Sequence, residues 1–247
     1  MGSSRRDSVR KDIYFIAGLV VIAAGLLLYL VANPYGPDQT ATAALSPPPP
    51  TPAATPGGVD GGTQPAPIER RETGDPFALG QTTAPVTMVM FSDYRCPFCA
   101  KFSRDIEPEL VERFVNSGDL RIEWRDYPIF GEQSRLAARA GRAAAEQGRF
   151  WEFNRAVYAA APERAKADFT EDNLIEFARQ AGVADIERFT SEMRSTDFDA
   201  AIDADLAQGN RIGVPSTPAF LINDTPVLGA QPTEEFVRVI TESRDRR

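Results

Sequence analysis

The stretch VTMVMFSDYRCPFCAKFSRDIEPELVERFVNSG, Val86 to Gly118, decides how the rest of the chain is read. Its first seven residues form a short apolar run with β-branched side chains, set between Ala84-Pro85 and Asp93, and predict a buried strand, Val86 to Ser92. After Cys99, the side chains Phe102, Ile106, Leu110 and Phe114 recur at helical spacing up to Gly118, which predicts a helix. The segment Cys96-Pro97-Phe98-Cys99 therefore sits where a strand turns into a helix. Pro97 suits the first helical position, where a missing N–H costs nothing. Cys96 then lies at a helix N-terminus, where unpaired N–H groups and the helix dipole favour a thiolate. Cys99 follows one turn later on the same side. Pro108 falls inside the helical pattern and is expected to kink or split it.

These are the only 2 cysteines among 247 residues, and the chain has no histidine. Zinc takes four ligands, usually Cys and His, and two of the four would here have to be carboxylates. A structural disulfide across two intervening residues closes a very short loop and constrains the unfolded chain little. A redox pair fits the pattern best, with Cys96 as attacking nucleophile and Cys99 as the more buried resolving thiol. No phosphate-binding loop or dinucleotide fingerprint is present.

FSDYRCPFC resembles the active-site segment of the DsbA-like branch of the thioredoxin superfamily. A second match is Gly213-Val214-Pro215-Ser216-Thr217-Pro218, followed by the strand-like AFLIN and the return PVLGA. The resemblance implies a cis peptide bond at Thr217-Pro218, with Pro215 as the competing position. It places the Thr217 backbone beside Cys96, open to pair with an extended substrate peptide. Leu120 to Tyr127 alternates apolar and polar residues and predicts the second strand. Helices are expected over Ser134–Gln147, Phe150–Ala160, Glu171–Gln180, Asp185–Met193 and Phe198–Arg211, some with starts at Thr170 and Thr196-Asp197. A closing helix is expected over Pro232–Ser243. The long helical stretch between second and third strands, about residues 130–211, is similar to the helical domain that the DsbA-like family inserts there. The expected fold is α/β: a thioredoxin fold with an inserted helical domain over residues 74–247. Phe150, Trp151 and Phe153 read as packing between the insertion and the sheet. Glu123 and Asp126 read as ordinary strand and loop carboxylates.

Two residues depart from the family pattern. Phe98 stands where the strongly oxidising members have histidine, so Cys96 is expected to be less acidic, and the couple less oxidising, than in those members. Met90 stands where the best-known members have a buried glutamate, so protons at Cys99 must move by water or another group. Asp93 is the nearest acidic residue and reads as a loop or capping residue.

Upstream, Ile13–Ala32 is an uncharged apolar run long enough to span a bilayer. Arg5, Arg6, Arg10 and Lys11 precede it and no Lys or Arg follows until Arg70. The positive-inside rule then predicts a signal-anchor: residues 1–12 cytoplasmic, 13–32 transmembrane, the remainder extracytoplasmic at a bacterial cell membrane. Cleavage at Ala41-Thr42-Ala43 is the alternative, though that site lies well past the apolar run. Residues 33–73 hold half of the 20 prolines and read as a disordered tether, reaching up to about 100 Å at about 3 Å per residue where extended. The net charge of −8, carried by the part beyond the basic N-terminus, argues against nucleic acid as partner.

The expected function is an extracytoplasmic thiol-disulfide oxidoreductase that oxidises cysteines of secreted or membrane proteins, with no metal or organic cofactor. The resemblance implies reoxidation by a membrane quinone-linked thiol oxidase of the DsbB or vitamin K epoxide reductase type. A reductase or isomerase is the alternative. A thioredoxin-fold binding module with a structural disulfide is a second one.

Overall fold

The computed structural model describes residues 67–246. The expected membrane span at Ile13–Ala32, the cytoplasmic N-terminus and most of the tether lie outside the described residues. Among the described residues no helix is long and apolar enough to cross a membrane.

Five strands form one sheet: β1 (Ala78–Leu79), β2 (Val86–Ser92), β3 (Leu120–Asp126), β4 (Ala219–Ile222) and β5 (Thr225–Leu228), in the order β1-β3-β2-β4-β5. β2 and β3 run parallel, with Val86 opposite Leu120 and Ser92 opposite Asp126. β4 returns antiparallel to β2, pairing Met90 with Phe220, and β5 is antiparallel to β4 at the edge. The apolar run of β2 is buried throughout because the sheet is covered on both faces.

The helix expected after Cys99 is broken in three. α1 (Pro97–Asp105) ends at Ile106, α2 (Glu107–Leu110) carries Pro108, and a π-helical turn spans Val111–Val115. Pro108 cannot donate to the preceding turn, which is where α1 stops. Phe102 on α1 meets Phe220 of β4 and Phe236 of the closing helix α8 (Thr233–Asp245), at ring separations of 4.5 and 5.3 Å. Truncating such a buried aromatic costs about 3–5 kcal/mol.

The insertion comprises α3 (Glu132–Ala145), α4 (Phe150–Ala160), α5 (Glu171–Gln180), α6 (Ile186–Arg194) and α7 (Asp199–Arg211). Thr170 starts α5 through a capping box with Asn173. α7, by contrast, starts at Asp199 after Phe198, without a side-chain cap from Thr196 or Asp197. Phe150, Trp151 and Phe153 are buried, and Phe150 packs edge-on against Trp124 of β3. α3 is lined by small residues. An added Cβ at Gly141 would come within 2.5 Å of the Tyr94 hydroxyl, so glycine sets how closely α3 approaches the sheet.

β3 differs from its alternating pattern, since all seven residues are buried. Leu120, Ile122 and Trp124 enter the main core, while Arg121, Glu123 and Arg125 lie on the opposite face. There Glu123 accepts from Arg121 and Arg125 side chains at 2.8 and 2.9 Å, and from the backbone N–H of Arg70 and Arg71 at 2.8 Å each. Burial alone would raise the Glu123 pKa, yet these donors hold it at about 2. Asp126 accepts from Trp124 and from Arg142 of α3, and Arg142 also reaches Asp205 of α7, which pairs with Arg70. Glu123 and Asp126 are thus buried ion-pair centres rather than ordinary surface carboxylates. Ile68–Glu72, on the tether side of the boundary expected from composition, is held against β3: Arg125 and Arg121 donate to the carbonyls of Ile68 and Glu72 at 2.9 Å.

Candidate active site

Cys96 is the N-cap of α1, with extended backbone (φ −76°, ψ 119°), and Pro97 is the first helical residue. Ser92 ends β2, and Asp93 to Arg95 turn the chain into the helix. Asp93 is buried and accepts N–H bonds from Arg95 at 2.8 Å and from Ile129 and Phe130 at 2.8 and 3.3 Å. Burial raises its pKa against these three donors. Its carboxylate therefore organises two loops. Arg95 donates to the carbonyls of Ala167 and Phe130 at 2.8 and 2.7 Å, fastening the insertion to the rim of the site.

The second segment arrives with β4. The Thr217-Pro218 peptide bond is cis, and the Cys96 thiol donates to the Thr217 carbonyl oxygen at 3.2 Å. The structure thus brings Cys96, Pro97, Phe98, Cys99, Thr217 and Pro218 together across 121 residues of sequence separation. Pro215 lies in the same loop, and the described cis bond is at Pro218 alone.

Both cysteines are free thiols with little accessible surface, Cys99 the more deeply buried; Phe98 between them is 61 % exposed. Their chemistry differs too. The Cys96 pKa is lowered to about 6: a hydrogen bond from the Cys99 thiol outweighs burial, aided by the Thr217 hydroxyl and the backbone N–H groups of Cys99 and Phe98. The Thr217 hydroxyl is buried and unpartnered while the Cys96 thiol donates to the Thr217 carbonyl, and so is free to turn to the sulfur once it is charged. Cys99 moves the opposite way, well above a free thiol, first through burial and then through its bond to the Cys96 sulfur. At neutral pH the pair holds one proton, on Cys99, beside a Cys96 thiolate. The value near 6 lies between a free cysteine at about 8.5 and the most acidic members of the fold at about 3.5. Phe98 contributes only its backbone N–H, its side chain offering neither a donor nor a positive charge.

Two hydroxyls behind Cys99 have no signal in the sequence pattern. Ser92 and Tyr158 of α4 are buried and hydrogen-bonded to each other at 2.9 Å. Ser92 is the last residue of a recognisable strand, whereas Tyr158 comes from a helix whose aromatics read only as packing. Among the described residues, no cluster of three or more Cys, Asp or Glu side chains is placed to hold a metal ion. The exposed large apolar side chains of the described residues are Phe98, Ile129, Ile212 and Leu228. An apolar groove of about 290 Å³, lined by Phe91, Ile212, Val214, Pro215, Ala219 and Leu228 among others, flanks the cis-proline loop.

Comparison with known proteins agrees with this geometry. The family model described as Thioredoxin matches residues 72–242. Disulfide bond formation protein D of Bacillus subtilis is 27 % identical over 164 residues, spanning 66 % of this chain and 74 % of that one. The crystal structure of oxidised BdbD from Bacillus subtilis superposes with a TM-score of 0.64 at 25 % identity, covering 68 % of this chain and 92 % of its own. A thioredoxin-like oxidoreductase from Silicibacter pomeroyi matches with a TM-score of 0.59 at 28 % identity, over 70 % and 99 % of the two chains. A solvent-poor C-x-x-C with one acidified thiol, a cis-proline beside it and a helical insertion in a thioredoxin sheet belong together: the chain is a member of the thioredoxin family, a thiol-disulfide oxidoreductase of its DsbA-like branch.

Proposed function

We propose that this oxidoreductase works as an oxidase of cysteines in secreted or membrane proteins, held on the outer side of a bacterial membrane by its N-terminal segment. The observation that carries the reading is the Cys96 thiolate, stabilised to a pKa of about 6. Whatever stabilises that thiolate stabilises the reduced enzyme and so makes its disulfide a better oxidant. In the proposed cycle a substrate thiolate attacks Cys96 of the Cys96–Cys99 disulfide, forms a mixed disulfide and releases Cys99. A second substrate thiolate then attacks the substrate sulfur of that mixed disulfide, closing the substrate's own disulfide and leaving the pair reduced. A membrane quinone-linked thiol oxidase of the DsbB or vitamin K epoxide reductase type then restores the disulfide.

The surface supports a protein substrate. Thr217 places its backbone against Cys96, where an extended segment can pair with it. Phe98 and Leu228, both exposed, offer apolar contact to chains that have not yet buried their cores. The apolar run Ile13–Ala32 and the basic residues before it support the anchored topology.

Acid-quenched cells treated with a large maleimide test the direction and a membrane-impermeant maleimide tests the side. An oxidase is held mainly as the disulfide, and its thiols, once reduced by added dithiothreitol, react from outside the cell. A pair found mainly as thiols at steady state contradicts the oxidase reading and favours the reductase.

A further inference from the structure

Three groups stand near enough to the Cys99 sulfur to move its acidity: the Asp93 backbone N–H and the Ser92 hydroxyl, which lower its pKa, and the Cys96 sulfur, which raises it. Behind Ser92 stands Tyr158, whose hydroxyl is 2.9 Å from Ser92 Oγ and 3.2 Å from the Asp93 carbonyl oxygen. Both residues are buried. The Tyr158 ring is stacked on Tyr94 at 5.5 Å and packed near Trp124 at 6.4 Å, so the ring is fixed and only its O–H turns. A hydroxyl has one proton to donate and lone pairs to accept with, so this chain of groups has two complete settings. With Cys99 as a thiol, its S–H is committed to the Cys96 sulfur, Ser92 donates to Tyr158, and Tyr158 donates to the Asp93 carbonyl. With Cys99 as a thiolate, Tyr158 turns to donate to Ser92, and Ser92 donates to the sulfur. The Ser92–Tyr158 and Tyr158–Asp93 separations serve either setting.

We propose that Ser92 and Tyr158 form a reversible donor chain that stabilises the Cys99 sulfur as it leaves or attacks Cys96, Ser92 by direct contact and Tyr158 by positioning the Ser92 proton. When a thiolate attacks Cys96, the bond from the attacking sulfur to Cys96 forms as the Cys96–Cys99 bond breaks. The electron pair leaves on Cys99. Ser92 then turns its O–H to that sulfur, and Tyr158 turns its own from Asp93 to Ser92. In the reverse step the Cys99 thiolate attacks Cys96, the other sulfur departs with the electron pair, and both O–H groups swing back. The inference rests on disulfide exchange at Cys96–Cys99 and is independent of its direction in the cell. It also assigns the helical insertion, through α4, a part in the chemistry.

The test is the rate at which glutathione opens the Cys96–Cys99 disulfide of the full chain, between pH 6 and 9, followed by tryptophan fluorescence. A hydrogen bond to a charged sulfur is lost in Ser92→Ala, which slows opening about tenfold or more. Tyr158→Phe slows it several-fold. The double variant is no slower than Ser92→Ala, because Tyr158 acts through Ser92. The Cys96 titration, read by thiolate absorbance, keeps its midpoint near 6 in all three. Ser92→Thr, which retains the hydroxyl, restores the rate and decides the matter if Tyr158→Phe does not fold. Wild-type rates in Ser92→Ala, slowing in the double variant equal to the product of the singles, or slowing that only follows a moved Cys96 titration would overturn the proposal.

Discussion

Burial works against both sulfurs of the C-x-x-C, yet their acidities diverge: at Cys99 burial and the neighbouring Cys96 sulfur outweigh the Ser92 hydroxyl and the Asp93 N–H, whereas Cys96 gains donors enough to overcome burial. Thr217 supplies one of them, so Thr217→Val, which keeps the shape and removes the hydroxyl, should raise the Cys96 midpoint from about 6 toward a free thiol by about one unit. Titration of thiolate absorbance checks this, and an unchanged midpoint would assign the acidity to Cys99 and the helix terminus alone. The linkage sign follows from a depressed folded pKa: the thiolate adds stability to the reduced protein above the unfolded value near 8.5, and this is lost as pH falls through about 6. Glu107 runs the other way. It is buried, one of its oxygens has no partner, and Arg155 is 3.9 Å away; burial raises its pKa to about 7 despite that arginine. Its charged form destabilises the fold increasingly between about pH 4.5 and 7. Glu107→Gln should therefore raise stability at pH 8 by about 2–3 kcal/mol and change little at pH 4.5, as measured by denaturant unfolding at the two pH values. Cys96, Cys99, Thr217 and Pro218 were legible in the sequence because short fixed spacings carry them. Ser92, Tyr158 and Glu107 were not, since nothing local distinguishes a hydroxyl or carboxylate that the fold later buries.

The strand β2 and the break of the active-site helix follow from local pattern: an apolar run of strand length, and a proline whose missing N–H ends the preceding turn. β3 does not. Its alternation implied one wet face, but Arg121, Glu123 and Arg125 are covered by Ile68–Glu72 and by Gln208 of α7, a contact made across 83 residues. Alternation reports which residues share a face, not what covers that face. Glu123→Ala leaves two buried guanidinium groups unpaired and should cost about 3–5 kcal/mol in denaturant unfolding. A loss below about 1 kcal/mol would show that the clamp carries little of the stability. On α3, Gly141→Ala gains about 1 kcal/mol of helix propensity, but its Cβ would meet the rigid Tyr94 hydroxyl at 2.5 Å. Overpacking of this kind costs about 1–3 kcal/mol, so the thermal midpoint should fall; a rise would mean that α3 can move off the sheet freely.

Across the whole molecule, the sheet order β1-β3-β2-β4-β5 sets β2 beside β4 and so carries Cys96 to Thr217, while the insertion folds back to place Tyr158 behind Cys99. The two-motif signature made this arrangement legible, because the thioredoxin topology leaves the second motif one position to occupy. The seating of Ile68–Glu72 on β3 was hidden by a proline-rich composition shared with the tether. Anchor, outer location and oxidising direction are proposals about how this domain is used, and the direction depends on one quantity. That quantity is the reduction potential of Cys96/Cys99 in the purified full chain, equilibrated in glutathione buffers at pH 7. With a Cys96 thiolate near pKa 6, the account predicts a potential of about −120 to −180 mV, the approximate range of protein oxidants of this fold. A value near −270 mV, roughly that of a thioredoxin reductant, would contradict it.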